Sequence, residues 1–116
     1  MTGFKAGDVI LIPFPFTDLS TVKQRPALVI SSDLFNQRGL DVIVSAITSH
    51  IPKEIPAADY LLETSDLKLA GLPKTSIVKL GKIVTIDQRL IRKKLGSLPP
   101  QTLQRIFSKL GQVIGG

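Results

Sequence analysis

The chain has 116 residues, 43% of them hydrophobic and 21% charged, with a formal net charge of +6. That is enough chain for one core and too little for two typical domains, so residues 1–116 read as a single domain that is not disordered. With no cysteine, disulfide frameworks, zinc fingers, iron–sulfur sites and thiol nucleophiles are excluded, and five Phe, one Tyr and no Trp argue against a binder built on stacked aromatics.

Met1 to Lys5 leads to Asp8 before an apolar signal core can form. The longest near-continuous apolar run, 9–16, is broken by Pro13 and Pro15 and falls far short of a membrane span. No membrane association is expected, and the lack of cysteine fits a reducing cytoplasm. Val9-Ile10-Leu11-Ile12 is a β-type run after Gly7-Asp8. Residues 13–24, PFPFTDLSTVKQ, read as a loop, stiff at its two prolines and polar after them. Residues 25–32, RPALVISS, form a strand, with Pro26 tolerated only near its start or on an edge. Residues 33–40 form a connection with a helical turn stopped by Gly39, and 41–48, DVIVSAIT, form the next strand. Residues 49–58 hold Pro52 and Pro56 and form a loop, and a short strand follows over 59–63. Thr64-Ser65-Asp66 reads as a helix cap, with Gly71 ending that turn. Residues 76–86 carry β-branched side chains around Gly81, one or two strands with a bulge or bend. Residues 95–100 read as a turn. Leu103, Ile106, Phe107, Leu110, Val113 and Ile114 then follow helical spacing behind Pro100. The fold class is mainly β (α+β): short strands in a small curled sheet or barrel, closed by a C-terminal amphipathic helix.

Charge is uneven along this chain. Residues 1–66 hold five Lys/Arg against eight acids, whereas residues 67–116 hold ten against Asp87 alone. A basic half of this kind suits nucleic acid, an acidic protein partner or an anionic surface. Arg89, Arg92, Lys93 and Lys94 are candidates for backbone-phosphate contacts, with a solvated helix face as the alternative.

The strands 25–32 and 41–48 have equal length, and the simplest antiparallel register sets Ser32 against Asp41 and Arg25 against Thr48. Opposed residues share a face. Arg25 and Thr48 then sit at the open end of a face otherwise made of Ala27, Val29, Val42, Val44 and Ala46, with Ser31 at its far end. A one-residue slip would separate the pair. Guanidinium offers a rigid fork of donors matched to phosphate oxygens, and a threonine hydroxyl can donate to the same group. The plainer reading is a surface ion pair for Arg25 and a β-favouring Thr48. His50, the single histidine, lies two residues after Thr48 and shares its face if the strand continues. Imidazole chemistry suits a general base, and an exposed loop histidine is the alternative. Asp18 and Ser20 on the loop can also reach a ligand, though Asp18 equally suits a turn. One histidine and no cysteine leave little for a metal site, so no cofactor is expected.

Gly7-Asp8-Val9, the proline-rich loop 13–16, the run Arg25 to Ser31, Ala46-Ile47-Thr48-Ser49, and Lys82 to Asp87 with Leu90 after it resemble the MazF/PemK family of type II toxin–antitoxin ribonucleases. The resemblance runs from about residue 5 to about residue 113. It implies an SH3-like barrel of the CcdB/MazF/PemK toxin type, usually a homodimer. It implies a cytoplasmic, growth-inhibiting, metal-independent and sequence-specific endoribonuclease (an mRNA interferase) that leaves 2′,3′-cyclic phosphate and 5′-OH ends. Its partners would be single-stranded RNA and a cognate antitoxin with an acidic tail. An arginine followed by proline on the second strand, and a threonine ending the next, are typical catalytic residues of the family and match Arg25 and Thr48. Here His50 joins them as candidate base. Candidate RNA contacts are Phe16, Thr17, Asp18, Ser20, Lys23, Gln24, Ser49, Lys79 and Lys82.

Two departures stand out. Many members carry a Gly-rich, Glu-containing loop before the arginine, and residues 17–24 have neither residue. Some members place Arg-x-Asp where this chain reads Lys79-Leu80-Gly81. The second functional reading is a non-catalytic binder on the same fold, either a gyrase-poison-like toxin or an RNA- or protein-binding relative.

Overall fold

A computed structural model describes residues 3–14 and 23–116. Among these residues six antiparallel strands form one sheet: β1 (Asp8–Phe14), β2 (Lys23–Val29), β3 (Asp41–Thr48), β4 (Asp59–Leu61), β5 (Ile77–Asp87) and β6 (Lys93–Ser97). Their spatial order is β4-β5-β3-β2-β1-β6. Three α-helices accompany them among the described residues, α1 (Asp33–Arg38), α2 (Thr64–Ala70) and α3 (Pro100–Ile114), with a 3-10 turn at Gln88–Leu90.

The expected register of β2 and β3 is present, with Ala27 opposite Ala46, Leu28 opposite Ser45 and Val29 opposite Val44. Alternation along these strands sends side chains into two cores. Val9, Leu28, Ile47, Val78 and Leu80 pack with Ile106 and Leu110 of α3. Ile10, Ile12, Ala27, Val29, Val42 and Val44 fill the opposite face and are fully buried, with Phe4, Val84, Ile86 and Ile91 against them. A flat sheet would leave that second face wet, so the sheet curls around it.

The curl brings α2, which follows the edge strand β4, against the other edge, β6. Contact there is backbone to backbone. A Cβ on Gly96 would lie 2.2 Å from the Leu69 carbonyl oxygen, and one on Gly71 would lie 2.1 Å from that of Leu95. Gly71 also ends α2 in the left-handed conformation at φ 73°. Asp66 ties α2 to α3: its Oδ1 accepts from the Thr102 hydroxyl at 2.8 Å and its Oδ2 from the Glu63 N–H at 3.2 Å.

Several expectations are corrected. Pro13, Phe14, Lys23 and Gln24, read as loop, extend β1 and β2 and pair with one another. Pro26, expected near a strand start or on an edge, lies inside β2, which is an interior strand. Hydrogen-bonding direction explains both prolines. Ile30 donates to the Ile43 carbonyl at 2.9 Å. Groups facing one neighbour recur every second residue, so positions 30, 28 and 26 turn toward β3. Pro26 has no N–H to give, and the β2–β3 pairs stop one residue short of it. By the same alternation Pro13 turns toward β6, whose pairing with β1 has already ended at Leu11.

Leu95 to Ser97, read as a turn, belong to β6. Asp8 holds them there, accepting from the Ser97 hydroxyl at 2.9 Å and facing Lys94 Nζ at 3.3 Å. Lys93 and Lys94 therefore lie on a strand rather than on a helix face. The α2 cap is built on Glu63 and Asp66 rather than on Thr64-Ser65-Asp66. Residues 77–87 are one strand, with the anticipated bulge: Ser45 pairs with Ile83 but Ala46 with Lys79, leaving Leu80, Gly81 and Lys82 out of the ladder. On α3, Ile106 and Leu110 are buried, but Ile114 is 65% exposed.

The seam gives a stability test. Gly96→Ala forces Leu69 and Ala70 backbone atoms apart and is expected to destabilise by about 1–3 kcal/mol, as overpacking does. Gly81→Ala meets nothing within 4 Å and serves as the control. Thermal melts of the two variants beside wild type should show a drop of several degrees for the first and little change for the second.

Candidate functional site

The gap where the β2–β3 ladder stops is the mouth of a cavity of about 480 Å³. Continued two residues past Ala27 and Ala46, the register sets Arg25 against Thr48, and both line this cavity. His50, Lys79 and Lys82 line it too, with Ala46, Ile47, Pro52 and Pro56 forming its apolar wall. Among the described lining residues three are cationic, Arg25, Lys79 and Lys82, and none is a carboxylate.

Each polar group arrives there for a local reason. Arg25 is exposed because β3 no longer pairs beside it. β3 ends at Thr48, so the strand does not continue to His50 and the shared strand face is not what joins them. Instead the chain turns, and the His50 N–H donates to Thr48 Oγ1 at 3.1 Å. That bond occupies one acceptor site of the hydroxyl and leaves its proton available to a ligand. Lys79 and Lys82, three residues apart, would face opposite sides of a regular strand. The bulge between them brings both to the cavity. Ser45, fully buried, spans the bulge by donating to the Lys79 carbonyl at 2.6 Å. Lys79 Nζ lies 2.8 Å from Asp59 Oδ2 on β4.

A second cavity of about 260 Å³ shares Arg25, Ile47 and Thr48 with the first. Gln24 and Ser49 line it, with Leu72, Pro73, Lys74 and Ser76 from the connection into β5. Those last four, and Asp59, were not anticipated. Only the α2–β5 and β4–β5 geometry places them here, and no local motif marks them. Lys23 lies at the exposed start of β2 and lines neither cavity. Phe16, Thr17, Asp18 and Ser20 lie outside the described residues. Among the described residues, no group of three or more His, Cys, Asp or Glu side chains is gathered as a metal site would need.

Residues 5–114 match the sequence model of the PemK-like, MazF-like toxins of type II toxin–antitoxin systems. The chain belongs to that family. It is 32% identical over 113 residues to endoribonuclease EndoA of Bacillus subtilis, covering 91% of this chain and 90% of that one. Over 93 residues it is 28% identical to endoribonuclease MazF6 of Mycobacterium tuberculosis, covering 79% of each. Among solved structures it superposes on a mycobacterial endoribonuclease in complex with its cognate antitoxin with a TM-score of 0.78 at 20% identity, covering 97% of this chain and 96% of that one. A chain of the MazE–MazF crystal structure (Form-III) from Deinococcus radiodurans gives 0.75 at 23% identity, with 97% and 96% covered. These likenesses carry the fold: a mainly β sheet with a C-terminal helix.

The rest of the toxin's basic half does not gather at the cavity. Lys94 faces Asp8, and Lys109 Nζ donates to the Asp59 carbonyl at 2.7 Å. Arg89 forks onto Asp87, with Nη2 to Oδ2 at 2.8 Å and a further backbone donor at 2.8 Å. The side-chain hydrogen bond from Arg89, ahead of its backbone N–H and its charge, holds the Asp87 carboxyl below the usual carboxylate range. The guanidinium is raised in return. Because the folded carboxyl is depressed, whatever the pair adds to stability is present at neutral pH and fades as pH falls through the folded value. The pair is exposed, so its effect is small. An NMR titration should find Asp87 below the ordinary aspartate range, returning to it in Arg89→Ala.

Proposed function

We propose that this toxin cuts single-stranded RNA in the cytoplasm, without a metal, by turning the ribose 2′-OH on the adjacent phosphodiester. The observation that supports this reading most is that Arg25 and Thr48 line one cavity with His50, Lys79 and Lys82. In the step, the 2′-oxygen forms a bond to phosphorus and the bond from phosphorus to the 5′-oxygen breaks. The products are a 2′,3′-cyclic phosphate and a 5′-OH. The 2′-OH proton leaves to a base, and the departing 5′-oxygen takes up a proton.

Arg25 neutralises the charge that grows on the non-bridging oxygens, where a fixed donor is worth most. It keeps its proton throughout and is no base. Thr48, its oxygen occupied by the His50 N–H, donates its proton to one of those oxygens. His50 takes the 2′-OH proton. Lys79, Lys82 and Lys23 hold flanking phosphates, while Gln24 and Ser49 contact the chain near Arg25. Phe16, Thr17, Asp18 and Ser20 are proposed RNA contacts from the preceding segment. The protein acts as a homodimer, selects a short RNA sequence, restrains growth, and is neutralised by an antitoxin whose acidic tail fits the same cations.

Long single-stranded RNA incubated with the protein in EDTA, with end-group mapping of the fragments, tests this directly. Cyclic phosphate ends are expected from wild type. Arg25→Ala and Thr48→Ala are each expected to slow cleavage by about 10²–10³, the loss seen when one oxyanion donor is removed. His50→Ala is expected to lose about 10²-fold or more and to flatten the acid limb of the pH profile, as removal of a general base does. Binding without cleavage by folded wild type would leave the non-catalytic binder as the reading.

A further inference from the structure

The cation that Lys79 presents to the cavity is held by a carboxylate outside it. Asp59 lies directly opposite Lys79 in the β4–β5 ladder, so the two side chains share a face. Their ion pair is 2.8 Å long, with the carboxylate side chain only 5% exposed and the lysine 27%. The Asp59 backbone is fixed on three sides. Its N–H donates to the Pro56 carbonyl at 3.0 Å, its carbonyl accepts from Lys109 of α3 at 2.7 Å, and β5 pairs beside it. Pro56 itself lines the cavity.

A lysine stem is long and flexible, and ordering it on a ligand costs rotamer freedom. A buried acid beside a polyanion site would repel the substrate unless its charge were already answered. We propose that Asp59 is a positioning residue: it presets Lys79 Nζ at the rim of the Arg25–Thr48 cavity, where the ammonium receives a phosphate flanking the one that reacts. The pair supplies at the bulged strand a fixed cation within reach of the substrate, with the counter-charge kept behind the wall. The inference rests on the RNA reading above and deepens it, since Asp59 acts only through Lys79.

The test measures affinity for a mixed-sequence 2′-O-methyl RNA oligonucleotide, which has no free 2′-OH to react, together with kcat and KM on an RNA that wild type cuts. Asp59→Asn, Asp59→Glu, Lys79→Met and the double variant Asp59→Asn/Lys79→Met are compared, with thermal melts alongside. Lys79→Met is expected to weaken binding and to lower the salt slope by about 0.7, the value for one phosphate contact on a single strand. Asp59→Asn is expected to weaken binding about three- to tenfold, with the loss in KM rather than kcat, and Asp59→Glu to recover part of it. The double variant is expected to bind no more weakly than Lys79→Met alone. Should Asp59→Asn not fold, Asp59→Glu with and without Lys79→Met carries the same comparison.

Tighter or unchanged binding in Asp59→Asn would overturn the proposal, because loss of a repelling carboxylate would then be its only effect. A further loss on adding Asp59→Asn to Lys79→Met would overturn it too. Wild type that binds but does not cut sinks the nuclease reading, and the binding ratios then decide Asp59 on their own. Wild type that binds no oligonucleotide overturns both.

Discussion

β3 is paired on both edges, and both ladders become irregular at the same place. On one edge Pro26 has no proton to offer, and the β2 pairs end at Ala46. On the other, the register with β5 jumps between Ser45 and Ala46. A regular sheet would carry the end of β3 flat between its neighbours, with Arg25, Thr48 and Lys79 spread across a surface. Losing the ladder on one side and bending it on the other opens a hollow around Thr48 instead. The polar groups of the candidate site line that hollow, and the two irregularities are the reason it exists.

Such a hollow is affordable because the rest of the sheet is over-determined. Both faces carry fully buried Val, Ile and Leu side chains, and α3 covers one of them. The seam between α2 and β6 brings backbones so close that only glycine fits. Among the described residues every buried side-chain polar atom has a hydrogen-bond partner, those of Asp8, Asp66 and Ser45 included. Irregular pairing at one strand end then costs little of the whole, and the site sits on the ends of rigid strands rather than on a free loop.

Much of this was legible in the sequence, for identifiable reasons. Two apolar runs of equal length allow one good register, and that register alone brings Arg25 beside Thr48. A glycine among β-branched residues marked the bulge at Gly81. What escaped was set by partners distant in sequence. Pro13 read as loop and Pro26 as fit only for a strand start or edge, because the direction in which each missing N–H points depends on which neighbour lies there. Ser97 looked like turn chemistry until Asp8, far away along the chain, supplied its bond. His50 was linked to Thr48 through a strand that in fact stops; a backbone hydrogen bond to the hydroxyl makes the connection instead. Net charge located no site. The basic half suits a polyanion without saying where it binds, and in the fold Arg89, Lys94 and Lys109 are engaged with groups of their own.

That redistribution bears on how the cavity earns its potential. Surface cations add a diffuse field that salt screens within about 10 Å. On the proposed reading Arg25, Lys79 and Lys82, which line the cavity beside Ala46, Ile47, Pro52 and Pro56, meet a phosphate at contact range, where salt screens least. Among the described residues that line the cavity none is a carboxylate. The acid that does lie close, Asp59, stands behind Lys79 rather than beside the substrate. Placing the negative charge one strand back changes its effect: in the cavity it would oppose a phosphate, whereas on the proposed reading it orders, from behind the wall, the cation that receives one.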